Sequence, residues 1–492
     1  MGKRKLHANM HLSCEVISIG QIKCSYMATL SLDEHSVALF EVMDAEVDFY
    51  HKIEELEEFL ICAKTSNDYF TLRGTSIIES QFSVSGIIDN DVQSKVKMCF
   101  WISDIFVGEE YAIEQNGNLL FNGFSCQFTD IFELFGVYPY EINDTSSQWS
   151  FQSLTITNNT KTMEFDGGYS CFVAPYVYKK DHDYIFSMQG RLNYSAAEFE
   201  SVTNLKEKIC MLELFFEILS GETVTAFDVV MNKKDKIFEY TGLCNYPKLK
   251  LKGLSNGFDA KWYPRKSIFK LSDWKDTGKN VIELFTELVK DNLLAMESYK
   301  QVLLDEEIKI VTYNKFLKIM QMIEGIMRTV VSDEEKRDFE KKKRKIKKQL
   351  ENQEDRKFID TYCFNNGDKF RTCLTELTKE SLIILSGEEC VKGFNGQINN
   401  IINDRNAYTH ASKEIVPIMT VEQLEAVNCC YKEFCRIKIL KQLNLSDQLI
   451  CSRFLFNRRF VEAYKTFFGL SIRNMDEKHN TGEYDGEMSD YI

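Results

Sequence analysis

Residues 403–410 read Asn-Asp-Arg-Asn-Ala-Tyr-Thr-His, which sets an arginine, a polar neighbour and a histidine within six consecutive positions. Arg405 supplies a permanent cation whose planar fork of donors suits a phosphate, and His410 supplies the side chain whose ordinary pKa lets it exchange protons near neutrality. These parts suffice to cleave RNA. The 2′-hydroxyl is an internal nucleophile, so a base to deprotonate it and a cation to hold charge on the phosphorane can work without a metal. Taken alone, the pair is equally well a surface arginine followed by a helix-end histidine that interacts favourably with the helix dipole. In an ideal helix, five residues turn the chain by about 500°, so the two positions lie about 140° apart around the axis. A working site then needs a bend at the helix end, a second copy of the chain, or both.

The elements that must position this pair are helical. Apolar periodicity predicts helices over 281–296, 313–331, 333–353, 369–385, 388–408 and 421–443, with shorter ones across 447–468. Thr420 with Gln423 forms a capping box for the sixth. Upstream, to about residue 190, short runs rich in Phe, Tyr, Val, Ile and Thr, broken by Gly, Asn and Asp, predict strands. Asn116-Gly117 predicts a hairpin, residues 166–194 two more strands, and residues 52–63 one short amphipathic helix. A helical period begins at Ala196 and ends near Gly221, and residues 222–275 return to mixed strand and loop. The expected architecture is therefore α+β and multidomain: a β-rich domain (1–195), a connecting region (196–275), an all-α bundle (276–475) and an acidic, disordered tail (476–492).

Composition narrows the function classes. With 44% hydrophobic and 27% charged residues, the 492-residue chain reads as globular. The absence of a long apolar run or leader points to a cytoplasmic protein without a membrane anchor. Fifteen cysteines with no CxxC pair argue for a reducing compartment, and Cys429, Cys430 and Cys435 read as buried small apolar residues. No metal or cofactor motif stands out. The net charge of −14 is uneven: residues 1–300 carry all the excess acid, while 301–475 hold 30 basic and 25 acidic groups. The half containing Arg405 and His410 is thus mildly basic, as phosphate binding favours. Between 101 and 150 there are eight acids and no Lys or Arg, a surface that RNA phosphates would avoid and that reads either as an aromatic-packed sheet with acids facing solvent or as a recognition surface for a basic or proteinaceous trigger. The densest basic run, Lys341, Lys342, Lys343, Arg344, Lys345, Lys347 and Lys348, is either a solvated helix bridged to flanking acids or an arm that follows RNA phosphates.

Three stretches resemble the ApeA-like HEPN family. Phe316-Leu-Lys-Ile-Met-Gln-Met-Ile-Glu-Gly-Ile-Met-Arg328 is similar to the opening helix of these domains, and Lys369-Phe-Arg-Thr-Cys-Leu-Thr-Glu-Leu377 to the helix that follows. Asp404-Arg-Asn-Ala-Tyr-Thr-His410 matches the Arg-polar-x3-His signature. Residues 124–135 and 202–230 resemble the β-rich N-terminal domain found beside it. Met327 departs from the pattern, since many relatives carry a histidine there. The resemblance implies an antiphage protein acting by abortive infection through a metal-independent endoribonuclease, with tRNA among its candidate RNAs. It also implies a homodimer that brings two signatures together across a twofold axis. Arg405 and His410 would then be catalytic, with Asn406 orienting the phosphate or the pair. Glu324 and Arg328 are either a structural i,i+4 pair or supports of the site, and the β-rich domain is where a phage-derived trigger would act. The rival expectation is a non-catalytic bundle that dimerises or holds a nucleotide.

Overall fold

The computed structural model describes residues 10–473 except 33–37, 57, 89–90, 114–117, 129–160, 181–182, 243–268, 272, 275–279, 309–311, 328–332, 351, 363–369, 392 and 411–415. The tail from 476 and Arg328 therefore lie outside the described residues. The chain divides into two compact units, Met1–Glu213 with Thr225–Lys261, and Leu214–Val224 with Trp262–Ile492. Residues 196–275 are shared between them. A β-rich N-terminal region followed by a helical C-terminal region makes the fold α+β.

In the first unit, β1 (Met10–Ile19), β2 (Ile22–Leu32), β3 (Ala38–Glu46), β4 (Phe59–Lys64), β5 (Tyr69–Ile88) and β6 (Asp91–Gly108) pair antiparallel in the order β3-β2-β1-β4-β5-β6. β6 also pairs with β3, which closes the ring into a six-stranded barrel and removes its free edges. Strand alternation fills the interior: Leu12, Val16, Leu30, Phe40, Ile61, Leu72, Phe100 and Ile102 belong to one buried cluster. β1 and β2 are joined by a two-residue turn in which Gly20 takes φ +59°, a conformation suited to tight hairpins. Beyond the ring the sheet continues from β6 as β12-β11-β7-β10-β9-β8. These strands are β7 (Leu120–Phe128), β8 (Lys161–Phe165), β9 (Tyr169–Lys180), β10 (Asp183–Ser201), β11 (Ala226–Lys233) and β12 (Lys236–Gly242).

Four local expectations are corrected. The short helix is α1 (Val47–Glu54), and 59–64 is strand β4. Leu56, Phe59, Leu60 and Ala63 follow a helical spacing while Phe59, Ile61 and Ala63 alternate as in a strand, and pairing to β1 and β5 decides between them. Residues 111–113, before Asn116-Gly117, form no strand, and β7, after it, pairs with β10 and β11; the turn itself lies outside the described residues. Residues 196–201 finish β10, and α2 (Val202–Ser220) starts only after Ser201, whose Oγ accepts from the Asn204 amide at 3.2 Å. Asp104, one of the eight acids assigned to solvent, is 1% exposed and takes hydrogen bonds from Lys206, Tyr240 and Ser103.

The second unit contains α3 (Val281–Asp291), α4 (Leu293–Ile308), α5 (Thr312–Ile326), α6 (Asp333–Gln349), α7 (Gln353–Tyr362), α8 (Phe370–Ser386), α9 (Asn395–His410), α10 (Val421–Gln442), α11 (Asp447–Leu455) and α12 (Arg458–Phe468). Three expected long helices are broken, 281–296 at Asn292, 333–353 after Gln349, and 388–408, where Glu388–Val391 is a separate 3-10 turn and the α-helix begins at Asn395. The capping box at Thr420 and Gln423 is formed and starts α10. That helix is buried on nearly every side, so it is the axis of the bundle. Cys429, Cys430 and Cys435 lie along it, and burial pushes all three thiols above their ordinary range, as structural cysteines require.

Candidate active site

α9 presents Phe394, Ile398, Ile401 and Ala407 to the core at helical spacing, and Asp404 falls on the same stripe. A fully buried carboxylate among apolar residues needs partners. Asp404 finds them in the backbone that returns after α9: the amides of Ile418 and Met419 donate to it at 2.7 and 3.0 Å. Asn403 reinforces the turn by donating from Nδ2 to the Val416 carbonyl at 3.0 Å. The chain leaving His410 is thus fastened back onto α9 only six residues later.

Arg405 sits one step round the helix. Its Nη2 donates to Glu324 Oε1 on α5 at 2.6 Å, and its guanidinium lies 5.0 Å from the centre of the Phe370 ring at the start of α8. α9 runs along α5 in the opposite sense, for Tyr408 stacks on Tyr313 and meets Phe316 edge-on near the beginning of α5. Burial pushes the Tyr408 phenol up, so it stays neutral there. Arg405 remains 28% exposed and has no hydrogen-bond acceptor other than Glu324 among the described residues. A carboxylate and an aromatic face therefore aim the guanidinium while leaving donors for a phosphate.

Asn406 is half-buried, and its side chain has no hydrogen-bond partner among the described residues. The backbone is helical through His410, whose side chain falls outside the described residues. The helix is unbroken through position 410, so on regular helical geometry positions 405 and 410 keep their separation of about 140°. Asn406 and His410, four residues apart, share one side of α9, and Arg405 occupies another. Of the expected supports, Glu324 is brought to Arg405. Met327 is buried, and its carbonyl accepts from Cys373 Sγ at 3.9 Å. Sequence reasoning missed Asp404 and Phe370 as positioning residues; the readable signal for Asp404 was a carboxylate on an apolar stripe.

Clefts of about 460 Å³ in the first unit and about 350 Å³ between α9, α10 and α12 are lined without Arg405 or Asn406. Among the described residues there is no group of three His, Cys, Asp or Glu side chains placed to hold a metal ion. No described helix is long and apolar enough to cross a membrane.

A helical bundle with an Arg-polar-x3-His signature closing one of its packed helices is the arrangement of a HEPN domain. Residues 317–449 match the family model described as Apea-like HEPN, and this C-terminal part of the chain is an Apea-like HEPN domain. Neither a curated protein nor a solved structure matches the chain.

Proposed function

We propose that the protein is an antiphage endoribonuclease that cleaves RNA by metal-independent transesterification in a site shared between two copies of the HEPN domain. The observation that carries this reading is Arg405, aimed by Glu324 and Phe370 yet partly exposed, on a helix that continues unbroken through His410. Because positions 405, 406 and 410 face two sides of one helix, a single copy offers an incomplete site, and a twofold pairing supplies the missing groups. His410 of one copy takes the 2′-hydroxyl proton, and the 2′-oxygen bonds to phosphorus. The bond from phosphorus to the 5′-oxygen breaks, and the partner subunit's His410 gives that oxygen a proton. The two Arg405 guanidiniums hold the charge on the phosphorane, and Asn406 donates to a phosphate oxygen. The products are a 2′,3′-cyclic phosphate and a 5′-hydroxyl. The β-rich unit is the place for a phage-derived trigger, and the setting is the bacterial cytoplasm.

The second reading, a non-catalytic dimerising or nucleotide-holding bundle, draws support from the same ion pair, since Glu324 already engages part of Arg405. One experiment separates them. Purified wild type, Arg405→Ala and His410→Ala are incubated in EDTA with total cellular RNA including tRNA, with and without phage lysate, and the cleaved ends are mapped. Wild type yields cyclic-phosphate ends, and each substitution lowers cleavage by about 10²–10³-fold. Cleavage unchanged in both variants, or none by wild type with lysate present, rejects the nuclease.

A further inference from the structure

The basic run lies on α6 within the HEPN match, and its cations are not equivalent. Phe339, Lys343, Lys347 and Leu350 are the less exposed positions in this part of the chain, recurring at intervals of three to four, and they mark the side on which the helix is covered. Lys343 and Lys347 have contacts of their own. With 100° per residue, Lys341, Arg344, Lys345 and Lys348 fall within about 100° of one another on the opposite side. All four are exposed. Lys341 has a contact, but Arg344, Lys345 and Lys348 have no ion-pair or hydrogen-bond partner among the described residues. Glu340, Glu354 and Asp355, the flanking acids that are described, do not bridge these three cations.

We infer that the face formed by Lys341, Arg344, Lys345 and Lys348 binds the sugar-phosphate backbone of single-stranded RNA, an assignment that rests on the nuclease reading for the identity of its ligand. The face has the dimensions for it. From Lys341 to Lys348 the helix rises about 10.5 Å, the length of about three stacked nucleotides at 3.4 Å each. Its composition fits a phosphate strand better than a protein partner, because protein interfaces are depleted in Lys and centred on apolar anchors, and this face presents no apolar side chain. Contacts of this kind hold the strand in register and carry no base information. Selectivity for RNA then belongs to the chemistry at the 2′-hydroxyl, while α6 sets affinity and its salt dependence.

The test uses the full chain carrying His410→Ala, so that RNA is bound without being cut. A fluorescently labelled single-stranded RNA 12-mer is titrated at salt concentrations from 50 to 200 mM. The same titration is made after Lys341→Gln, Arg344→Gln, Lys345→Gln and Lys348→Gln together. Glutamine keeps helix propensity, and the sites are exposed, so the fold is retained and a matching thermal melt checks it. The expected result is more than tenfold weaker binding at the lowest salt and a log–log salt slope shallower by about 2–3, since each phosphate contact to a single strand contributes about 0.7. A control removes four exposed cations elsewhere in the helical unit, Lys290, Lys379, Arg458 and Lys465, and shifts the slope by less than about one. An unchanged slope in the α6 variant, an equal loss in the control, or no RNA binding by the His410→Ala chain overturns the proposal. Failure of the nuclease reading shows separately, as a wild type that binds through α6 but does not cleave.

Discussion

Arg436 on α10 and Arg405 on α9 are two arginines of one helical unit held in opposite ways. Arg436 is fully buried and donates to the Ile218 and Leu219 carbonyls at the end of α2 and to Glu433, with its guanidinium beside the Phe269 and Phe454 rings. The backbone makes room for it: Gly221 takes φ +73°, and a Cβ there would lie 2.7 Å from Arg436 Nη1. Its neighbours continue an alternating chain of buried charge, from Glu433 to Lys432 at 3.3 Å, Glu306 at 2.9 Å and Lys315 at 3.0 Å. Arg405 has one carboxylate and one ring among the described residues, and its side chain remains 28% exposed. An arginine whose donors are satisfied inside the fold is a structural cation, and one aimed but unsaturated can receive a ligand. The same distinction separates the covered and open sides of α6.

Arg436→Ala breaks this comparison most severely. It leaves Glu433 buried without its partner and the α2 carbonyls without donors, so a urea melt of the helical unit should show a loss of about 3–5 kcal/mol. Arg405→Ala, whose cost is read in cleavage, should leave the same melt within about 0.5 kcal/mol, because a half-exposed ion pair contributes little. Next comes acid. Burial would raise the Glu306 carboxyl, but the ammoniums of Lys432 and Lys315 outweigh this and hold it at about 2. A folded pKa below the ordinary 4.5 means that the stabilisation is complete above about 4.5 and fades as pH falls toward 2, with roughly 3 kcal/mol at stake. Stability measured across that window should fall less steeply in Glu306→Gln, although that variant is less stable at neutral pH because two lysines lose their carboxylate. The smallest effect belongs to Glu324→Gln. It removes the charge that aims Arg405 but keeps the side-chain size, so cleavage should fall by about tenfold or less and the melt should move by less than about 1 kcal/mol. A tenfold gain instead would mean that Glu324 restrains Arg405 and does not position it.

Much of the helical half was legible because its signals are local. The Thr420–Gln423 box, the end of α2 near Gly221 and the apolar period of α10 depend on neighbours within a turn or two, and each forms as read. The β-rich half was legible as strands but not as a barrel, since closure rests on β3 pairing with β6, with partners such as Ala38 and Ile102 far apart in sequence. Residues 59–63 and 196–201 carry patterns that admit a helix or a strand, and sheet partners made the choice.

For the candidate site, the sequence alone determined the chemical inventory: an arginine, an amide and a histidine in fixed order near a helix end, in the basic part of an acidic chain. Only the tertiary structure decided what each is free to do. Glu324 and Phe370 come to Arg405 from α5 and α8, Asp404 turns inward to fasten the returning chain, and three cations of α6 have no ion-pair or hydrogen-bond partner among the described residues. The reason is that a residue's type sets which interactions it can make, whereas the partners available to it are set by elements that packing brings from elsewhere in the chain.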